Sequence, residues 1–135
     1  MIWNIEKGLR LTASEHLEAE VPRAAMVART VTFFETFDLL LMPATIVAPF
    51  PVEQRYVESC AGQQFETYID WLAIAYAITL TTAPALSMPC GFTASGLPVG
   101  LQVVARPRAE HDLLAYAAFI EGELDAAITA PIDPR

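Results

Sequence analysis

The sequence predicts an α/β chain in which three or four helices pack on a small sheet. Three observations carry this. First, Leu86–Phe92 and Val99–Ala105 are short apolar runs, the second rich in valine, separated by the Gly/Pro/Ser-rich stretch Thr93–Pro98. Such runs bounded by turn residues suit strands joined by a turn. Second, no Asp, Glu, Lys or Arg occurs between Trp71 and Ala105, which places that segment in an interior. Third, the segments on either side repeat their apolar residues at spacings of three and four, the period of a helix with one covered face.

Taken in order, residues 1–11 carry no assignment, with Gly8 a candidate break. Thr12-Ala13-Ser14-Glu15 fits a capping box, in which the threonine hydroxyl and the glutamate carboxylate each satisfy an unpaired backbone N–H. A helix follows from Ala13 to about Thr36, with Leu17, Val21, Ala24, Ala28, Val31 and Phe34 as its stripe. Pro22 lies inside it. A proline there removes a backbone donor, so the expectation is a kink or the start of a second helix. Leu39–Met42 reads as a short buried strand ended by Pro43. Residues 44–63 are rich in loop formers, with room for a turn of helix. Gln64–Thr79 has a helical pattern whose second half is apolar all round, which predicts burial. Glu110–Leu124 is the last helix. Its Glu110 and Asp112 stand at the positive end of the helix dipole, and Leu113, Leu114, Ala117 and Ile120 form its inward stripe. Residues 125–135, with two prolines, read as a frayed tail.

The bulk properties narrow the function classes. A length of 135 residues allows one domain at most. The net charge of −8, with the eight Lys and Arg residues scattered, excludes a basic stripe for nucleic acid and gives no attraction to anionic lipid. The uncharged stretch from Trp71 to Cys90 is as long as a membrane span, but Pro84 and Pro89 interrupt it and strand-like residues follow. The opening Met1-Ile2-Trp3-Asn4 lacks the apolar core of a secretory signal. Cys60 and Cys90 make no metal or disulfide spacing and read as buried free thiols of a reducing cytoplasm. At 54% apolar and 18% charged, the chain is more apolar than a typical soluble domain. Its outer surface is therefore expected to be covered, by a partner or by a second copy.

The runs Pro84-Ala85-Leu86-Ser87-Met88-Pro89-Cys90-Gly91-Phe92 and Gly96-Leu97-Pro98-Val99-Gly100-Leu101-Gln102-Val103-Val104-Ala105-Arg106-Pro107 resemble the C-terminal part of amidase signature hydrolases. Phe37-Asp38-Leu39-Leu40-Leu41-Met42-Pro43-Ala44 resembles an earlier strand of that family, and Glu110-His111-Asp112-Leu113-Leu114 resembles the start of its last helix. The resemblance implies that the whole chain, 1–135, is a single C-terminal segment of an amidase domain. Its strands would form a small mixed sheet, part of the family's larger α/β/α fold. The family converts a carboxamide and water to a carboxylate and ammonia through an acyl-serine. It uses a Ser–Ser–Lys triad and needs no metal or organic cofactor.

The triad of that family sits in a Gly/Ser-rich segment that this sequence lacks. Its serines are Ser14, Ser59, Ser87 and Ser95, none adjacent to another, and its one lysine is Lys7. No residue is therefore carried over as catalytic, and the chain alone is expected to be inactive. The triad would come from the remainder of an amidase chain or from a triad-bearing partner. The alternative is a short non-catalytic protein that self-associates as a homodimer or pairs with such a partner. His16 and His111 read as exposed polar residues, Asp38 as a backbone cap and Arg106 as an ion-pairing residue. Cys90 reads as an inert thiol.

In the family, the helix before the Pro-Ala-x-Ser run borders the substrate cavity. The resemblance thus implies that Trp71, Leu72, Ala75, Tyr76 and Thr79 wall a substrate pocket, although each could equally be plain core. The family usually has Asn at the place of Thr79 and Gly near Thr82, so the local backbone is open to question. An apolar wall, without an acid at Leu72, points to an aryl or aliphatic carboxamide. Arylacetamide hydrolases, including those acting on indoleacetamide, are the nearest pattern.

Overall fold

A computed structural model describes residues 2–124, so the tail expected over 125–135 lies outside the described residues. The N-terminal stretch left without assignment forms helix α1 (Ile2–Gly8), which stops at the glycine. Helix α2 (Ala13–Phe33) begins on the expected capping box. The Thr12 backbone N–H donates to Glu15 Oε2 at 2.8 Å, and the Glu15 N–H donates to Thr12 Oγ1 at 3.3 Å. The helix runs through Pro22 as one element, so no second helix starts there.

Strand β1 (Leu40–Pro43), strand β4 (Ala85–Phe92) and strand β5 (Pro98–Val104) make one sheet in the order β1-β5-β4. The expected mixed pairing does not occur within this chain: β5 is antiparallel to both neighbours. The short connection between β4 and β5 dictates this on one side, because a tight loop can join only antiparallel strands. That loop is closed by Thr93, whose N–H donates to Leu97 O and whose Oγ1 accepts from the Leu97 N–H, with Gly96 at φ +81°. Cys90 is the extra residue of a bulge between Pro89↔Gly100 and Gly91↔Val99, and Gly91 takes φ +138° there, a conformation open to glycine. Gly100 is favoured by close packing instead. A Cβ there would stand 3.0 Å from both Ala44 Cβ and Ser87 Oγ.

Alternation along the strands sorts the sheet into two faces. Leu86, Met88, Leu101 and Val103 meet Leu113, Ala117 and Ile120 of helix α4 (Glu110–Glu123). This is the core. Val103, Ala109 and Leu113 are buried, but Leu114, also expected to point inward, is exposed. On the other face, Leu40 and Val104 look toward α2 across a cavity of about 170 Å³.

The residues of α2 that turn toward the sheet are Met26, Thr30 and Phe33, with Phe34 of the expected stripe just beyond the helix end, while the rest of that stripe does not face the sheet. Leu17, Val21 and Val31 are exposed. Both stripes have helical spacing, and the choice between them is made by tertiary contact rather than by local pattern. With Ile2, Trp3, Ile5, Leu9 and Leu11 also exposed, the N-terminal third presents a broad apolar surface.

The region expected to be loop, with room for a turn of helix, holds instead a two-residue hairpin, β2 (Ser59–Cys60) and β3 (Gln63–Gln64). Ala61 and Gly62 have φ +50° and +83°, the positive values that a primed hairpin turn requires at both central residues. The helix expected from Gln64 therefore begins later. A 3-10 turn at Asp70–Leu72 leads into helix α3 (Ala73–Thr79).

Candidate functional site

The start of α3 is fixed by Asp70, whose Oδ2 accepts the backbone N–H groups of Glu66 at 3.1 Å and Thr67 at 2.8 Å. This local bonding satisfies donors ahead of the helix and sets where it can begin. From there, Leu72, Ala75, Tyr76 and Thr79 recur at i, i+3, i+4 and i+7, which places them on one face. Ala75, Tyr76 and Thr79 are exposed and Leu72 is half-buried. The opposite face, with Ile74, Ala77 and Ile78, is half-buried. The apolar pattern predicts a fully buried helix, but nothing among the described residues covers its outer face.

Trp71 parts from the other four. Its ring lies edge-on to Phe50, with centroids 5.8 Å apart, and to Tyr68 at 6.1 Å. Tyr68 in turn meets Tyr56 at 6.4 Å. This aromatic cluster ties the irregular 50–70 segment to the root of α3. The Trp71 Nε1 is buried with no hydrogen-bond partner, and a buried indole N–H usually finds one.

The chemistry of the α3 outer face is that of a wall rather than of a reacting group. Thr79 Oγ1 donates to Tyr76 O at 2.6 Å, so its proton is used within its own helix. The nearest acid in sequence, Asp70, is occupied with backbone. Lys7 is exposed on α1, its ammonium 5.5 Å above the Trp3 ring. Ser14 Oγ donates to Glu18 at 3.2 Å. A lysine that is to act as a neutral base needs burial or cationic neighbours to lower its pKa.

Arg106 Nη2 is 3.1 Å from Asp112 Oδ2, across an exposed pair. The hydrogen bond from Arg106 holds the Asp112 carboxyl below its ordinary value, with a smaller contribution from His111. Both line an open polar hollow of about 330 Å³ with Asp38 and Tyr116. Asp38 makes no side-chain cap among the described residues, so its expected role is not seen. His16 and His111 are exposed. Cys60 and Cys90 are free thiols, half-buried rather than buried. Each points at a carbonyl, Ile46 O and Val99 O respectively, at 3.6 Å. Among the described residues no cluster of three or more His, Cys, Asp or Glu could hold a metal. No described helix is long and apolar enough to cross a membrane.

Between α3 and β4, Thr81 escapes sequence reasoning, and Thr82 falls where the local backbone is open to question. Thr81 is buried, and its Oγ1 donates to Ile78 O at 2.7 Å while accepting the Ala83 N–H at 3.3 Å. Thr82 has φ +62°, an outlier for a β-branched residue. The one available signal is the glycine that the resembled family carries near this place.

Comparison with known proteins agrees with this architecture. The family model described as Amidase matches residues 2–114. An acylamidase of Rhodococcus erythropolis is 35% identical over 125 residues, covering 92% of this chain and 26% of that protein. A fatty acid amide hydrolase of Arabidopsis thaliana is 31% identical over 111 residues, covering 82% of this chain and 18% of that one. Among solved structures, a bacterial aryl acylamidase of the amidase signature family superposes with a TM-score of 0.73 at 21% identity, over 95% of this chain and 28% of that one. A crystal structure of an amidase gives 0.74 at 26% identity, over 87% and 26%. The chain thus spans about a quarter or less of the length of these relatives. The family-model match over residues 2–114, together with the shared fold, shows that the chain belongs to the amidase signature family.

Proposed function

We propose that this chain supplies one wall of the substrate pocket of an amidase that hydrolyses neutral aryl or aliphatic carboxamides. The observation that carries the reading is the outer face of α3. Leu72, Ala75, Tyr76 and Thr79 share one uncharged, uncovered face of a short helix, and most lining of a small-molecule site is apolar. The name of one relative, an acylamidase, supports an amide bond as the one cleaved. In the proposed reaction a serine hydroxyl adds to the amide carbon and ammonia leaves. Water then cleaves the acyl ester, releasing carboxylate and restoring the serine. The serine, its partner serine and the lysine base come from residues outside this chain, in the remainder of an amidase chain or in a partner. The two free thiols fit a reducing cytoplasm.

The test is Leu72→Asp in the catalytically complete assembly, with kcat/KM measured for a neutral aryl amide and for an amino-acid amide bearing a cation. The expected result is a loss of at least about tenfold for the neutral amide relative to the cationic one, about 1.4 kcal/mol of discrimination. An unchanged ratio removes Leu72, and with it the α3 face, from the pocket.

A second reading rests on a different observation, the exposed apolar residues of α1 and the outer stripe of α2. In it the chain is a non-catalytic module that pairs through this surface with a second copy or a triad-bearing partner. Sedimentation at tens of micromolar separates the outcomes. A sharp monomer boundary contradicts self-association, and a dimer supports it.

A further inference from the structure

The cavity between α2 and the sheet plays no part in the reading above, and its chemistry is specific. Its walls are carbon: Met26 and Phe33 from α2, Phe34 just past its end, Leu40 from β1, Ile78 from α3 and Val104 from β5. Two threonines also border it, but their hydroxyl protons are committed. Thr30 Oγ1 donates to Met26 O at 3.0 Å, and Thr81 Oγ1 donates to Ile78 O while accepting the Ala83 N–H. The one charged lining group is Arg29. It is exposed and takes part in none of the ion pairs formed among the described residues. The volume is about 170 Å³, and an apolar cavity of about 150 Å³ holds one benzene.

We propose that this cavity binds a small aromatic carboxylate. The ring lies between Phe33, Phe34, Leu40 and Ile78, and the carboxylate meets the Arg29 guanidinium at the mouth. An arginine fork matches a carboxylate with two parallel hydrogen bonds. With both threonine donors already used, a ligand with several polar groups would leave most of them unpaired, which penalises it. The ligand is therefore one ring with one anionic head. The site lies behind α3, on the side opposite its exposed face, and its assignment does not rest on the proposed hydrolysis.

The experiment titrates the 135-residue chain with phenylacetate, and in parallel with 2-phenylethanol as the uncharged counterpart. Calorimetry reads affinity and methyl NMR reads location. Saturable phenylacetate binding is expected, with shifts at the Met26 and Ile78 methyls. Arg29→Gln, an exposed substitution whose fold is checked by circular dichroism, should weaken phenylacetate at least about tenfold. It should leave 2-phenylethanol within about twofold, and Arg29→Lys should recover part of the loss. Met26→Trp, which fills the cavity, should weaken both ligands. The proposal is overturned by the absence of saturable phenylacetate binding below about 10 mM. It is equally overturned by Arg29→Gln binding phenylacetate as the parent does, or by methyl shifts confined to residues away from the cavity.

Discussion

The sheet with α4 and the pair α1–α2 are two different kinds of structure in one chain. In the first, β5 is flanked on both sides and covered by α4, and Val103 and Val104 are 0% and 1% exposed. In the second, a 21-residue helix and its short predecessor hold no buried residue. Leu17 is 64% exposed and Trp3 68%. The first region is held by burial, which scales with apolar area removed from water. The second is held mostly by its own backbone bonds, its capping box and the i,i+3 pair of Glu20 with Arg23, with Met26, Thr30 and Phe33 half-buried toward the sheet. Helices that rely on propensity alone are marginal in water. The difference shows that secondary structure in this chain is dictated locally almost everywhere, whereas a self-sufficient core exists only in the C-terminal half.

The sharpest way to break this contrast is a matched pair of truncations. Leu113→Ala in the core should cost about 2–4 kcal/mol in urea unfolding, because the cavity left under α4 cannot collapse fully. Leu17→Ala on the outer stripe of α2 should stay within about 0.5 kcal/mol. Comparable losses would mean that the α2 stripe is covered in the protein as it exists in solution, and the two regions would then be alike.

A smaller effect is expected at the joint between α3 and β4. Thr82→Gly removes a side chain from a left-handed backbone position and should raise stability by up to about 1 kcal/mol, read as a higher urea midpoint at unchanged slope. A decrease would show that the Thr82 side chain repays its strain elsewhere in the protein.

The smallest effect separates the regions by pH. The Glu15 carboxyl lies below its ordinary value, first because of the Thr12 backbone N–H and then because of the Thr12 hydroxyl. A depressed carboxylate contributes stability above its unfolded pKa, about 4.3 for Glu. That contribution is lost as the pH falls through the folded value. Helicity from α2 should therefore decline as the solution is acidified through this window while the sheet persists. Glu15→Gln should flatten that decline in circular dichroism. An acid limb unchanged by Glu15→Gln would show that the capping box contributes nothing measurable.

Much of the fold was legible because its signals are local. The capping box at Thr12 and Glu15, the turn around Gly96 and the valine-rich run of β5 each carry their own physical cause. What was not legible depends on distant neighbours. Two stripes on α2 satisfy helical spacing, and only the sheet's position selects Met26, Thr30 and Phe33 over Leu17, Val21 and Val31. The apolar pattern of Gln64–Thr79 hides that Asp70 binds the backbone of Glu66 and Thr67 and so delays the helix. At the candidate site, spacing alone puts Leu72, Ala75, Tyr76 and Thr79 on one face. Trp71 departs from them because an aromatic cluster with Phe50 and Tyr68 forms across a loop. The buried Thr81 carries no signal in the sequence, whereas the left-handed Thr82 shows only as a departure from the glycine that the resembled family has near that place.

The sheet ends on two strands, β1 and β4, and each contains a proline, Pro43 in one and Pro89 beside the bulge in the other. A proline removes a donor from an exposed edge, and a bulge twists the edge away from a flat partner. Edge-to-edge stacking into fibrils is thereby discouraged in a chain that is otherwise rich in exposed apolar residues. The exposed helical surfaces are then the expected route of association, and aggregates of this protein should be silent to dyes that report cross-β structure.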